Sequence, residues 1–116
     1  MTLRHRRILE GITRVRGMRG AMLVAADDGL VVAEALMEGI RGNALAALAA
    51  SMVKRLGLAG VATGIGEVRF LHLQGAEGAM LVMPAPEEMV LVAVGEADVN
   101  VGLARLEMLQ AVRGLT

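Results

Sequence analysis

Apolar residues recur at helical spacing in the stretch from Asn43 to Leu58. They fall at i, i+3, i+4, i+7, i+8 and i+11, namely Leu45, Leu48, Ala49, Met52, Val53 and Leu56. This spacing predicts a helix with one wide apolar side. Asn43 stands where an N-cap belongs, and Lys54 and Arg55 fall in the predicted last turn, where positive charge suits the helix dipole.

The apolar surface of this central helix is wider than a single stripe facing a core. At about 100° per residue, the large residues Leu45, Met52 and Leu56 share one sector with Ala49, which we place against the protein's own core. A flank of small residues runs beside that sector: Ala46, Ala50, Val53 and Gly57. Because small residues let two helix backbones approach closely, this flank predicts a seam for a second helix. The alternative is that neighbouring elements of the same chain cover it.

The remaining segments predict one helix before the first strands and one after the last. The expected order is a helix (3–16), a turn (17–20), strands (21–26 and 30–35), the central helix (43–58), strands (67–74, 78–83 and 89–94) and a last helix capped by Asp98 or Asn100. Asp27-Asp28-Gly29 predicts a hairpin turn, since glycine readily adopts positive φ. Val99, Leu103 and Leu106 line one side of the last helix.

The last two predicted strands are apolar on both faces and therefore need cover above and below the sheet. The segment 67–74 mixes charged and apolar side chains, with Val68, Phe70 and His72 on one face, as suits an edge or interface strand. We predict one domain over residues 1–116, an α/β (α+β) sandwich in the order α-β-β-α-β-β-β-α. Its five-stranded antiparallel sheet is expected to lie between two helical layers.

Composition indicates association of the chain with a partner. A chain of 116 residues that is 55% hydrophobic has more apolar surface than a small domain readily buries. Its 12 basic residues balance 12 acidic ones, although residues 3–19 alone carry six arginines against one glutamate. The overall balance argues against a general polyanion binder. No secretory signal and no uninterrupted apolar run of about 18 residues appears, so we expect a cytoplasmic protein without membrane insertion.

The chain is poor in reactive side chains. It has no cysteine. Ser51 has no histidine or carboxylate near it in sequence, and Asp27 and Asp28 are explained by the hairpin turn. Phe70 is the one aromatic residue, so the chain lacks the aromatic side chains on which the bases of a nucleic acid would stack. We therefore predict no catalytic residue, no metal ligand, no cofactor and no nucleic-acid partner.

The sequence resembles the Roadblock family of dynein-light-chain-like domains over essentially its whole length. The likeness rests on R-G-A-M-L-V-A-A-D-D-G-L-V-V-A (19–33), the Ala/Leu-rich central helix, G-A-M-L-V-M-P (78–84) and N-V-G-L-A-R-L-E (100–107). It implies a profilin-like sandwich that homodimerises through the central helix and the following strand, pairing two copies of 67–74 edge to edge. The expected dimer interface is Ala46, Ala50, Val53, Gly57, Arg69, Phe70, Leu71, His72 and Leu73.

Bacterial, MglB-like members of that family associate with Ras-like small GTPases and modulate their nucleotide cycle. The resemblance thus implies a non-enzymatic homodimeric scaffold that binds an MglA-type GTPase. We expect the partner on the exposed helix sector formed by Ala47, Ser51, Lys54, Arg55 and Leu58. The alternatives are a structural interaction module that leaves GTP hydrolysis unaffected, and a small-ligand sensor, which would need a lined cavity.

Overall fold

The computed structural model describes residues 3–116 and has three helices and five strands in that range. They are α1 (Leu3–Thr13), β1 (Met18–Ala25), β2 (Val31–Leu36), α2 (Gly42–Ala62), β3 (Leu71–Gln74), β4 (Ala79–Ala85), β5 (Met89–Gly95) and α3 (Val101–Gly114). The strands form one antiparallel sheet in the order β2-β1-β5-β4-β3. The predicted fold class and element order are confirmed.

The strands bury both faces because alternate side chains point to opposite sides of the sheet. On β1, Leu23 joins a core with Leu9 of α1 and Met108 of α3. Its neighbour Met22 joins a second core with Ala46 of α2. Helix α2 therefore covers one face, and α1 and α3 cover the other, as the apolar strands required.

Two local predictions are confirmed by hydrogen bonds. In the β1–β2 hairpin, Gly29 has a φ of +73°, and the Leu30 amide donates to the Asp28 carboxylate over 3.1 Å. At the start of α3, the Leu103 amide donates to the Asn100 side chain over 3.0 Å. Asn100, rather than Asp98, is thus the N-cap.

The ends of α2 differ from the prediction. The N-cap position is Arg41, without a side-chain cap hydrogen bond, and Asn43 lies inside the first turn. Gly42 packs closely against β2, since a Cβ there would lie 2.7 Å from the end of the Leu36 side chain, which would have to shift. The helix runs on to Ala62, so Lys54 and Arg55 lie in its middle and not in its last turn.

Gly60 holds the end of α2 against the segment that returns to the sheet. A Cβ on Gly60 would lie 2.5 Å from the Gly66 carbonyl oxygen, whereas a Cβ on Gly57 would meet nothing within 4 Å. Gly60→Ala is therefore expected to lower the free energy of unfolding by about 1–3 kcal/mol. Gly57→Ala is the control and should raise it by up to about 1 kcal/mol, because alanine favours helix.

The measurement is urea unfolding followed by far-UV circular dichroism, since the chain has neither tryptophan nor tyrosine for fluorescence. Equal urea midpoints for Gly60→Ala and Gly57→Ala would mean that the close contact between Gly60 and Gly66 does not exclude a side chain at position 60.

The strand predicted over 67–74 forms only at Leu71–Gln74. Leu71 pairs with Val82, so continuing the antiparallel register would bring Arg69 opposite Pro84. Proline has no amide hydrogen to donate to the ladder. Residues Arg69 and Phe70 thus precede the edge strand and do not belong to it.

Two alanines and one methionine of α3 face the sheet, whereas two of its leucines do not. Ala104, Met108 and Ala111 are buried, whereas Leu103 and Leu106 are 44% and 58% exposed. The side of the helix that carries the leucines therefore points away from the sheet.

Candidate interaction surface

The structure buries two of the four residues of the predicted helix seam inside their own protomer. Ala46 is fully buried and Ala50 is 5% exposed, and Val53 packs against the core that α2 forms with its own sheet. Gly57, the fourth predicted residue, is half-buried with open space where a Cβ would be. A fully buried alanine has no surface left for a second helix, so the alternative of cover by the same chain holds for Ala46 and Ala50.

The residues that the sequence assigned to the core contact it in part, since Ala49 is fully buried and Leu45 and Met52 pack against the core formed with the sheet. Large residues were assigned to the core, but alanines at the contact let the helix axis approach the sheet closely. Leu45 and Met52 consequently lie beside the contact, partly buried, and Leu56 remains 40% exposed. The signal that could have located the free surface was the spacing of these large residues, which is as regular as that of the small ones.

Large apolar residues that are partly or mostly exposed form a strip along the β3 side of α2, which we call the apolar strip. It comprises Leu45, Leu48, Met52 and Leu56, spaced at three or four residues. Leu45 borders a depression of about 350 Å³ with Leu73 of β3 and Met80 of β4, which fixes the side on which the strip lies. The strip therefore continues onto the edge of the sheet.

Strand β3 has one unpaired edge. Within residues 3–116 it pairs with β4 alone, at the end of the sheet order. Leu73 is 46% exposed there, and His72 is exposed beside it. An unpaired edge presents backbone donors and acceptors that another strand can bind.

Phe70 makes its contacts inside its own protomer. Its ring packs against the core on the α1 and α3 side, and the Arg105 guanidinium lies 4.9 Å from the ring centroid. Phe70 therefore packs on the face of the sheet opposite α2, and its place in a dimer interface stays a prediction.

The five residues predicted to bind a partner lie together on the outer surface of α2. All of them are exposed: Ala47, Ser51, Lys54, Arg55 and Leu58. The Lys54 ammonium donates a hydrogen bond to the Asp27 carbonyl of the β1–β2 turn. This contact places Lys54 on the β1–β2 side of the helix, opposite the apolar strip.

The described part of the chain contains no group of three or more His, Asp or Glu side chains able to hold a metal ion, and its buried residues are apolar. By length and composition alone, α2 could cross a bilayer. In this fold its alanine side packs on the sheet, and two charged residues stand near its middle, where a bilayer disfavours them.

Comparison with known proteins gives consistent matches along the chain. The model of the Roadblock/LC7 domain matches residues 6–95. Protein MJ0310 of Methanocaldococcus jannaschii is 30% identical over 105 residues, which is 90% of each chain. MglB of Myxococcus xanthus superposes with a TM-score of 0.86 at 23% identity, over 98% of this chain and 93% of its own. A Roadblock/LC7 domain of Streptomyces avermitilis superposes with a TM-score of 0.82 at 23% identity, over 91% and 89%.

Proposed function

The chain belongs to the Roadblock/LC7 domain family, and we propose that it is a homodimeric, non-enzymatic regulator of a Ras-like small GTPase in the cytoplasm. The observation that carries the proposal is the apolar strip of α2, in which Leu48 and Leu56 are exposed, next to the unpaired edge of β3. Water-facing leucines on one side of a helix are typical of a surface that a partner covers. That the partner is a GTPase is inferred from the resemblance to MglB-like regulators.

In the proposed homodimer, the apolar strip of one copy packs against the apolar strip of the other. Two copies of β3 paired antiparallel along their free edges would extend the sheet across a two-fold axis. Because α2 lies on one face of each sheet, the same axis would bring the two helices side by side. Leu48 and Leu56 of each copy would then meet their equivalents, so the proposed seam uses large residues where the sequence suggested small ones.

The proposed GTPase site is the outer surface of the paired helices. After dimerisation, Ser51, Arg55 and Leu58 of both copies would remain accessible. This surface combines small and apolar residues with two positive charges per copy, and charge of one sign at an interface guides the approach and orientation of a partner. A regulator of this kind acts by binding one conformation of the GTPase better than another.

Charge reversal at the outer surface should weaken GTPase binding. For Lys54→Glu combined with Arg55→Glu, the dissociation constant is expected to rise at least tenfold, because attraction becomes repulsion at two positions per copy. The measurement is titration calorimetry with a Ras-like small GTPase of the same organism, loaded with GTP or GDP. Arg7→Glu with Arg14→Glu is the control, with the same charge change on the opposite face of the sheet.

Unchanged affinity in the first variant would exclude this surface as the GTPase site. GTP hydrolysis, measured with and without this protein, tests the alternative of a structural interaction module. A bound GTPase whose hydrolysis and nucleotide exchange are unaltered would favour that alternative over a regulator.

A further inference from the structure

The outward side of α1 is a row of arginines. Leu9 and Ile12 are buried against the sheet, which turns Arg7 and Arg14 towards solvent, with Leu3 66% exposed at the start of the same side. The charges of Arg7 and Arg14 therefore face solvent on the side of the sheet opposite α2.

Helix α3 lies antiparallel beside α1 and extends this surface. The Arg4 guanidinium donates to the Gly114 carbonyl at the end of α3, and Arg14 borders a shallow depression with Leu103 near its start. Leu103 and Leu106 are the exposed leucines of α3. We call the joint surface of the two helices the α1/α3 face.

The α1/α3 face is positively charged although the chain as a whole is neutral. Its arginines are Arg4, Arg6, Arg7, Arg14 and Arg113. Two glutamates oppose them, which leaves a net charge of +3: Glu10, whose carboxylate lies 3.7 Å from Arg6 at the outer margin, and Glu107. Leu103 borders Glu107 and, at the start of α3, Glu96 and Asp98, so the excess of positive charge lies nearer to Leu106 and to α1.

We propose that the α1/α3 face binds an anionic phospholipid surface peripherally, without inserting a helix. Each arginine near such a surface contributes about 1 kcal/mol of attraction. Leucine side chains on the same face can enter the boundary between headgroups and acyl chains. A phosphate backbone of nucleic acid offers the leucines no apolar contact, and the depression of about 280 Å³ between the helices is too shallow to seat a peptide helix.

Dimerisation would double this surface, a step that rests on the proposed function. A two-fold axis perpendicular to the sheet keeps like faces on the same side, so both α1/α3 faces would contact one membrane plane. The α2 surfaces would face away from it. A GTPase bound there would be held at the membrane, and two linked contacts bind more tightly than one.

The test is sedimentation with vesicles of phosphatidylcholine alone or with about 30% phosphatidylserine, a content that gives a strongly negative surface. We expect binding to the anionic vesicles only, weakening as salt is raised, because screening shortens the range of the attraction. Arg7→Glu with Arg14→Glu should reduce vesicle affinity at least tenfold. Lys54→Glu with Arg55→Glu makes the same change in net charge on the outer surface of α2, and should bind much more tightly than the first pair.

Leu106→Ser separates lipid contact from charge alone. It should reduce vesicle affinity severalfold while leaving binding to heparin, a polyanion without an apolar layer, unchanged. Circular dichroism melts of every variant confirm that the fold is retained. Absence of wild-type binding to anionic vesicles, equal losses in both charge pairs, or binding to nucleic acid or an acidic peptide in place of vesicles would each overturn the proposal.

The oligomeric state of the same samples separates this proposal from the dimer. A monomeric protein that still binds vesicles, with lower affinity, would refute the dimer and leave the α1/α3 face as the lipid site. A dimer that binds no vesicle would do the reverse.

Discussion

Ala46→Arg is expected to unfold the chain. Ala46 is fully buried between α2 and the sheet, in the core that includes Met22 and Val92. An arginine there would either leave its charge without a partner in an apolar core or force the helix off the sheet. The cost is several kcal/mol, comparable with the whole stability of about 5–15 kcal/mol of a typical domain.

The matched control is Ala44→Arg, two residues earlier in the same helix. Ala44 is exposed, so the same side chain there can remain in water. Far-UV circular dichroism and heteronuclear NMR spectra at low protein concentration should show a folded Ala44→Arg variant and an unfolded Ala46→Arg variant. A folded, cooperative Ala46→Arg variant would mean that the alanine side of α2 does not face the sheet.

The second large effect concerns association and not folding. Leu48→Arg combined with Leu56→Arg should convert the proposed dimer into a folded monomer. The two leucines are 44% and 40% exposed in one copy, and the seam would bury what remains. At about 1.5–3 kcal/mol for a fully buried leucine, four partly buried ones contribute about 3–4 kcal/mol. Their loss raises the dissociation constant at least 100-fold at about 1.4 kcal/mol per tenfold, before charge repulsion is added.

The control pair is Leu58→Arg with Val61→Arg, which introduces the same charge on parts of α2 away from the apolar strip. Leu58 and Val61 are 76% and 69% exposed. Sedimentation velocity with interference optics, over a range of concentrations, measures the association without aromatic absorbance. Two outcomes would refute the seam: a monomeric wild-type protein, or equal dissociation constants for the two pairs.

The periodic pattern of the chain was sufficient for its architecture. Apolar strands without a polar face required two helical layers, and Asp28-Gly29 identified the hairpin, because turn chemistry is local. Asn100 was one of two proposed caps for the same reason. The basic character of α1 was also readable, since charge is a property of the residues themselves.

The sequence pattern did not show which side of α2 and of α3 packs against the sheet. In α2 and α3 the sectors of small and of large apolar residues have the same period, so both satisfy a helical pattern. Packing distance decides between them: alanine at the contact brings helix and sheet together, and the leucines are left on the flank or the outside.

Sequence by itself therefore determined which elements form and in which order, because helical and strand periods, turns and caps depend on neighbouring residues. Tertiary structure alone decided which surfaces remain uncovered: the apolar strip of α2, the edge of β3 and the α1/α3 face. These surfaces depend on how closely residues distant in sequence approach one another, for example Leu45 and Leu73 on one side of the sheet or Arg4 and Gly114 on the other.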